Sequence, residues 1–450
     1  MLTKRSASAV AVKTAQVLLS LTFLFSGFVK AVDPWGTAYK LGDYAAWCGL
    51  ECLQESGWLL AGSICLAAFE FFVGACLLVG VMRRFSSAAS LVLMVLMTPL
   101  TLILAIWNPV HDCGCFGDAL LLTNWQTFGK NTVLLLLAII VFVGRKSMYR
   151  LIPMGMGRWA CLWAAVYIGL LMAYSLRHLP PVDFRPYKAG VNIPEAMQVP
   201  PGADLPEYES LFVMTKDGEE RTFTAQTYPD SSWTFVRAEH RLVKAGAEPA
   251  ITDFSLSDEQ GNDVTDRLLS DGGLTFVLVS PDLERASRDN IDQIALLGDL
   301  CEDYGLGLCA LSTSGADIVS HWRQTTGAMY PVYTADPIVL KTIVRANPGV
   351  LLLRGGTILN KWNHRDLPSL MSDIGKTMSD LEKNKSDFVL SKRDIEQALT
   401  DSLSKKTGEK WLSGWIKWAM NYVIPLIFII FAYRIRYSWK KNLDRTKNKT

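Results

Sequence analysis

Ser86–Trp107 reads SSAASLVLMVLMTPLTLILAIW, 22 residues without one Asp, Glu, Lys or Arg. A run of about 18 or more such residues is long enough to cross the roughly 30 Å hydrocarbon core of a bilayer. Working outward, Trp159–Leu176 supplies 18 more uncharged residues. The periodic apolar stretches at 14–31, 58–81, 128–144 and 415–433 complete a set of six expected spans. A wholly water-soluble protein is excluded. The whole chain has 450 residues with 45 basic against 43 acidic side chains, a balance that gives no reason to expect nucleic acid as a partner. The lipid bilayer is the partner these runs require.

Sidedness follows from the basic residues of the short connections. Lys4, Arg5 and Lys13 precede the first span, and Arg83 and Arg84 separate the second from the third. Arg145, Lys146, Arg150 and Arg158 separate the fourth from the fifth, and Arg434, Arg436, Lys440, Lys441, Arg445, Lys447 and Lys449 follow the sixth. Under strict alternation all four clusters share one side, which the positive-inside rule makes cytoplasmic. The expectation is a cytoplasmic (inner) membrane protein with both termini cytoplasmic. Loops 32–57 and 108–127 and the long segment 177–414 then face the periplasm. Trp35, Trp47, Trp58, Trp107 and Trp125 fall at outer span ends, where amphipathic rings settle. Val29-Lys30-Ala31 has some features of a signal-peptide cleavage site, but a lysine inside it favours an uncleaved first span.

The outward segment reads as ordinary polar–apolar sequence. Residues 180–245 form a Pro-rich connector and a small β-rich module, with strands at Leu211–Met214, Arg221–Ala225 and Trp233–Val236. From 246 to 367 strands and helices alternate. Leu274–Ser280 and Leu306–Leu311 are buried-strand candidates, and Asp282–Tyr304 and Ser314–Thr326 have helical periodicity. Tyr330–Thr334 is a strand, Pro337–Arg345 a helix, and two runs across Gly355-Gly356 form a hairpin. Alternation of this kind implies an α/β layer. Residues 368–411 read as a polar helical stalk leading to 412–450, the last span and a basic cytoplasmic tail.

Cysteine placement carries the chemistry. Cys48 and Cys52 lie in one outward loop, Cys113 and Cys115 in another, beside His111. The outer face of a cytoplasmic membrane is oxidising, and four cysteines permit three pairings that sequence does not choose between. Three readings stand open: a redox pair relaying electrons between the loops, structural disulfides stapling them, and a metal site of His111, Cys113 and Cys115. The last lacks a clear fourth ligand, so no metal is expected. Glu70 and Lys30 are ionisable groups in spans, which are costly and often functional. The bland reading of Glu70 is as a partner for Lys30, with the obstacle that Lys30 sits nearer the outer face. Cys65, Cys76 and Cys161 read as apolar filler of the spans.

Ser26-Gly27-Phe28-Val29-Lys30, Glu70 in Phe69-Glu70-Phe71-Phe72-Val73-Gly74, and Asp112-Cys113-Gly114-Cys115-Phe116-Gly117-Asp118 resemble the DoxX/MauE family of four-helix membrane proteins, over about residues 10–146. Residues 246–367 resemble the thioredoxin-like fold, whose cis-proline before the hairpin is matched by Pro348. That domain departs from the family where it matters most: Ser280-Pro281-Asp282-Leu283-Glu284-Arg285-Ala286 stands where Cys-x-x-Cys is expected, so thiol exchange is not expected there. Cys301 and Cys309, in the following helix and strand, read as buried or paired structural cysteines, the alternative being a relocated active site.

The resemblance implies a mainly α membrane protein. A four-helix DoxX-like bundle (1–146), a fifth helix (147–179) and a sixth carry an extracytoplasmic α/β thioredoxin-like domain, as in Bacteroidetes-type fusions. It implies envelope thiol–disulfide chemistry or maturation of exported proteins. Cys113 and Cys115 would be the membrane-proximal catalytic pair, Cys48 and Cys52 their exchange partners, and Pro348 would mark the edge that binds a periplasmic thiol protein or client. The electron acceptor is unnamed, with a quinone the candidate by analogy. The reading from a different class is a non-catalytic membrane scaffold with structural loop disulfides.

Overall fold

Among the described residues, five helices are long and apolar enough to cross a membrane: Ser8–Val32, Gly57–Val79, Arg83–Trp107, Asn124–Val143 and Met156–Arg177. In the computed structural model they belong to α1 (Leu2–Val32), α3 (Gly57–Val79), α4 (Arg83–Trp107), α5 (Asn124–Val143) and α6 (Met154–Arg177). The structure describes residues 2–53, 57–108, 110, 113–152, 154–199, 202–203, 207–216, 219–224, 227, 229–230, 232–244, 246–247, 249–384, 391–404, 420–425 and 427. Most of the expected sixth span at 415–433, the basic tail and His111 lie outside the described residues.

Loop 32–57 is not a plain connection. It contains α2 (Pro34–Trp47), which starts with Pro at its first position and Asp33 as cap, accepting a hydrogen bond from the Gly36 N–H at 2.9 Å. That is the expected chemistry of a helix start, and the sequence reading passed over it. α5 starts with a full capping box in which Thr123 and Gln126 exchange side-chain and backbone hydrogen bonds.

The described residues fall into two compact units. The first lies within Met1–Arg185, Arg365–Leu370 and Lys405–Thr450. Here α1 packs on α3 and α5, and α4 on α5. Gly27 and Gly74 let α1 and α3 approach closely: a Cβ on Gly27 would stand 2.5 Å from the Phe71 nitrogen, and one on Gly74 would stand 2.6 Å from the Leu24 nitrogen. Small residues at such crossings are how membrane helices gain packing without a hydrophobic driving force. Buried Gln16 donates to the carbonyls of Leu77 and Tyr149 and accepts from the Tyr149 N–H. The large apolar side chains left on the outside, such as Leu96, Val133, Leu136 and Val143, are a liability in water and the expected coat in lipid.

The second unit lies within Pro186–His364 and Met371–Ser404. It opens with the short α7 (Ile193–Ala196). β1 (Glu207–Lys216), β2 (Glu219–Thr224) and β3 (Thr234–Lys244) then form an antiparallel sheet in the order β2-β1-β3, longer at β3 than the sequence pattern indicated. A six-stranded sheet has the order β4-β7-β6-β5-β8-β9. Its strands are β4 (Leu256–Ser257), β5 (Leu274–Val279), β6 (Gly307–Ser312), β7 (Val332–Ala335), β8 (Gly349–Arg354) and β9 (Thr357–Asn363). β5, β6 and β7 are parallel, and β8 runs antiparallel to both β5 and β9. Every residue of β5 is buried, as a central strand covered on both faces requires.

α8 (Thr265–Ser270), α9 (Ile291–Tyr304), α10 (Ala316–Thr326) and α11 (Pro337–Ile343) connect the strands. The helix expected from Asp282 starts nine positions later. The Asp282 carboxylate accepts from the Glu284 and Arg285 N–H groups, which holds a turn where the apolar spacing indicated helix.

The expected polar stalk is also revised. α12 (Leu367–Asn384) and a helix at 392–404 carry a buried face with Ile374, Met378, Leu399 and Leu403, and residues 371–404 belong to the compact unit of the sheet. The Asn360 amide donates to the Leu403 carbonyl and the Leu274 N–H to Glu396, ties that a free stalk would lack.

Candidate functional site

The last turns of α1 put Ser26 and Lys30 on one face, four residues apart. The close α1–α3 crossing brings Glu70 opposite them. Lys30 Nζ donates to Glu70 Oε2 at 2.8 Å, to Ser26 Oγ at 2.6 Å and to the Cys115 carbonyl at 2.8 Å. Ser26 Oγ is itself 2.8 Å from Glu70 Oε2 and 2.8 Å from the Cys115 carbonyl. The separation expected between Lys30 and Glu70 is therefore absent. Because the long lysine stem reaches inward from its own turn, backbone depth along the span does not fix where the ammonium sits. All three ammonium protons have acceptors, and both charges are buried, at 5% and 7% exposure.

The network fixes the loop between α4 and α5. Lys30 and Ser26 grip the Cys115 carbonyl, and Gly114 and Gly117 take left-handed conformations at φ 63° and 51°, which a side chain would strain. Phe116 is buried against Phe25, with ring centroids 5.4 Å apart, and Lys130 Nζ lies 4.1 Å from the Phe116 ring centre. So held, Cys113 and Cys115 face each other with sulfurs 2.7 Å apart. The side-chain hydrogen bond with Cys115 pulls the Cys113 thiol down to about 6, against the effect of burial and with help from the Cys115 N–H, the Thr127 hydroxyl and the Lys130 charge. The same hydrogen bond, together with burial, pushes Cys115 well above the ordinary thiol range. The Cys113 thiol is thus the more acidic of the two.

Behind the pair, a cavity of about 120 Å³ runs into the bundle. Lys30, Lys40, Glu70, Lys130 and the two cysteines line it together with apolar and neutral polar side chains of α1, α2, α3, α4 and α5. Cys48, at the end of α2, and Cys52 are exposed and are not among the lining residues. The structure thus unites Cys113, Cys115, Lys30 and Glu70 and leaves Cys48 and Cys52 apart from them. Among the described residues no group of three His, Cys, Asp or Glu side chains could hold a metal, and His111 lies outside those residues.

Three contributors escaped the sequence reading of the site: Ser26 as a member of the network, Thr127 and Lys130. Lys130 had a legible signal, a lone charge at the head of an apolar helix. Thr127 had none. Cys76 and Cys161, read as filler, have sulfurs 3.5 Å apart between α3 and α6.

In the second unit the Asn347–Pro348 peptide is cis. Ser280 Oγ donates to Asn347 Oδ1 at 2.6 Å and Asn347 Nδ2 to the Asp282 carbonyl at 2.7 Å, so polar side chains tie the turn after β5 to the residue before Pro348. Cys301 and Cys309 are buried, and burial pushes both thiols up to about 12.

Residues 8–144 match the family described as Methylamine utilisation protein MauE, and residues 208–245, the span of the three-stranded sheet, match a domain of unknown function (DUF8463). No curated protein and no solved structure matches the chain. The chain is thus similar to the MauE family over residues 8–144, and with five helices among the described residues long and apolar enough to cross a bilayer it is a membrane protein.

Proposed function

We propose that this protein catalyses thiol–disulfide exchange at the outer face of the cytoplasmic membrane, in the service of maturing exported proteins. The observation that carries the reading is the Cys113–Cys115 pair, its sulfurs 2.7 Å apart on a buried Lys30–Glu70–Ser26 support. Stabilising the Cys113 thiolate stabilises the reduced pair, and a stabilised reduced form makes the corresponding disulfide an oxidant. A partner thiolate attacks one sulfur of the oxidised pair and expels the other. A second partner thiol then resolves the mixed disulfide, leaving the partner oxidised and Cys113 and Cys115 reduced. Cys48 and Cys52, exposed at the end of α2 and just beyond it, are placed to meet external thiols and act as exchange partners.

The basic clusters support cytoplasmic termini and a periplasmic α/β unit. That unit we read as thioredoxin-like. The order β6-β5-β8-β9, the parallel β5–β6 pair, the closing hairpin and the cis bond at Pro348 support the reading. With Ser280–Ala286, a stretch without cysteine, where Cys-x-x-Cys is expected, it docks a periplasmic client along the Pro348 edge and leaves the chemistry to the membrane pair. The DoxX side of the resemblance belongs to the same proposal.

The test is trapping. Cells expressing Cys115→Ser are quenched with a thiol-blocking reagent and run on a non-reducing gel. The surviving Cys113 should hold a mixed disulfide, seen as a higher-mass band that dithiothreitol removes. Cys113→Ser should trap less, since the remaining thiol is poorly ionised. Absence of any adduct in both variants, with the maturation of exported thiol proteins unchanged, would leave the cysteines a structural role.

A further inference from the structure

The three-stranded sheet, in the order β2-β1-β3, ends on β3, a strand of 11 residues, and among the described residues no other strand pairs with its outer edge. Such an edge presents a row of backbone N–H and C=O groups that another strand can join. Thr234, Phe235, Val236, Arg237 and Ala238 are exposed one after another. Successive side chains of a strand point to opposite faces, so along this stretch both faces are open as well as the edge. Phe235 is 53% exposed and Val236 41%. Natural sheets cover or blunt a long, partly apolar edge of this kind, because it otherwise recruits strands at random.

We propose that β3 of a second copy of this chain covers the edge, in antiparallel pairing about a two-fold axis at Ala238, so that the protein dimerises through this sheet. The inference stands apart from the thiol-exchange reading. The occupant follows from the strand itself, Thr234-Phe235-Val236-Arg237-Ala238-Glu239-His240-Arg241-Leu242. Turned end over end about Ala238, this segment sets Arg237 of each copy opposite Glu239 of the other. Directly opposed unlike charges stabilise a strand pair, and the axis makes the contact twice. Phe235 falls opposite Arg241 and Val236 opposite His240, and the small alanine stands where identical residues meet. A centre at Glu239 would oppose Arg237 to Arg241, like charges on both sides of the axis. A centre at His240 would oppose two imidazoles and set Arg237 against Val243. A client strand of arbitrary sequence carries no such complement. Both copies are anchored in one bilayer, which raises the effective concentration of each edge at the other.

Cross-linking of the full chain in the membranes of expressing cells tests the pairing. Cys48→Ser and Cys52→Ser remove the exposed loop thiols, one cysteine is placed on β3, and oxidation with copper–phenanthroline is followed by a non-reducing gel. Directly opposed residues of an antiparallel pair have Cα atoms about 4.5–5.5 Å apart, within disulfide reach. Ala238→Cys should therefore give a band of two chains. Val236→Cys alone and His240→Cys alone should not, because the two copies of either position are offset by roughly 13 Å along the strand. Coexpression of Val236→Cys with His240→Cys should bring the band back. Added to Ala238→Cys, either Arg237→Glu or Glu239→Arg should cut the band about tenfold by opposing like charges twice, and the two together in one chain should restore it. Each variant's melting transition in detergent is compared with that of its parent, so that loss of the band is not loss of the fold.

No two-chain band at position 238, or bands of equal strength at 236, 238 and 240 as random collision would give, overturns the proposal. A band at 240 in place of 238 overturns the pairing. A band of one chain with a different protein assigns the edge to another occupant and overturns it likewise. Charge reversals that leave the band unchanged overturn the complementarity on which the choice of a second copy rests.

Discussion

Replacing Glu70 by Gln removes one charge and little volume from the centre of the site. Lys30 Nζ lies 2.8 Å from Glu70 Oε2, where the direct attraction is about 6 kcal/mol at an effective dielectric of about 20. Desolvation of both groups offsets most of that in the intact pair. It does not offset the loss once one partner is gone, because the Lys30 ammonium then remains buried with only neutral acceptors, Ser26 Oγ and the Cys115 carbonyl. Breaking a buried pair in this way costs about 3–5 kcal/mol. For a unit of this size that corresponds to a fall in melting temperature on the order of 10 °C. Thermal unfolding of the purified chain in detergent, followed by circular dichroism, measures it.

The double replacement Lys30→Met with Glu70→Leu removes both charges and should regain most of the lost stability, because nothing buried is left unpaired. The thiol pair should nonetheless be impaired in the double variant, since the Cys115 carbonyl loses both the Lys30 donor and the carboxylate that fixes Ser26. A shift under about 2 °C for Glu70→Gln, by the same scaling, would refute the argument that the pair is buried and coupled. So would a double variant less stable than either single one.

Cys113 should be alkylated by iodoacetamide at a rate that falls by half near pH 6, whereas an ordinary thiol does so near pH 8.5. The sign follows from its lowered value: the thiolate is fully present above the ordinary thiol pKa and is lost as pH falls through about 6, which pH-resolved labelling read by mass spectrometry will show. Cys301 and Cys309, buried and pushed up to about 12, should stay unlabelled at pH 8 until the chain is denatured; labelling of either in the native protein would contradict their burial. Arg185 is 2% exposed and holds Asp183 through Nε at 2.7 Å and Nη2 at 3.0 Å. Arg185→Lys should cost about 2 kcal/mol in thermal unfolding through loss of the forked contact, and Arg185→Ala should cost more.

The membrane character was legible from Ser86–Trp107 alone, because a long uncharged run admits few other solutions. The strands of the α/β unit were legible for a related reason: continuous apolar runs such as Leu274–Val279 need burial on both faces, and Gly355-Gly356 needs a turn. Local chemistry overruled pattern where a side chain captured the backbone, as Asp282 did before α9 and Asp33 did at the start of α2. The stalk was misread because half-buried helices such as 392–404 look polar in sequence, and only their partners reveal the buried face. The site divides in the same way. Residue type marked Cys113, Cys115, Lys30 and Glu70, since thiols in a tight loop and charges in a bilayer are costly to keep without a reason. Their convergence, the exposure of Cys48 and Cys52 away from the cavity, and the contributions of Ser26, Thr127 and Lys130 were decided by the tertiary structure. Lys30 and Glu70 are forty positions apart in the chain, and their meeting depends on how closely α1 and α3 approach across Gly27 and Gly74.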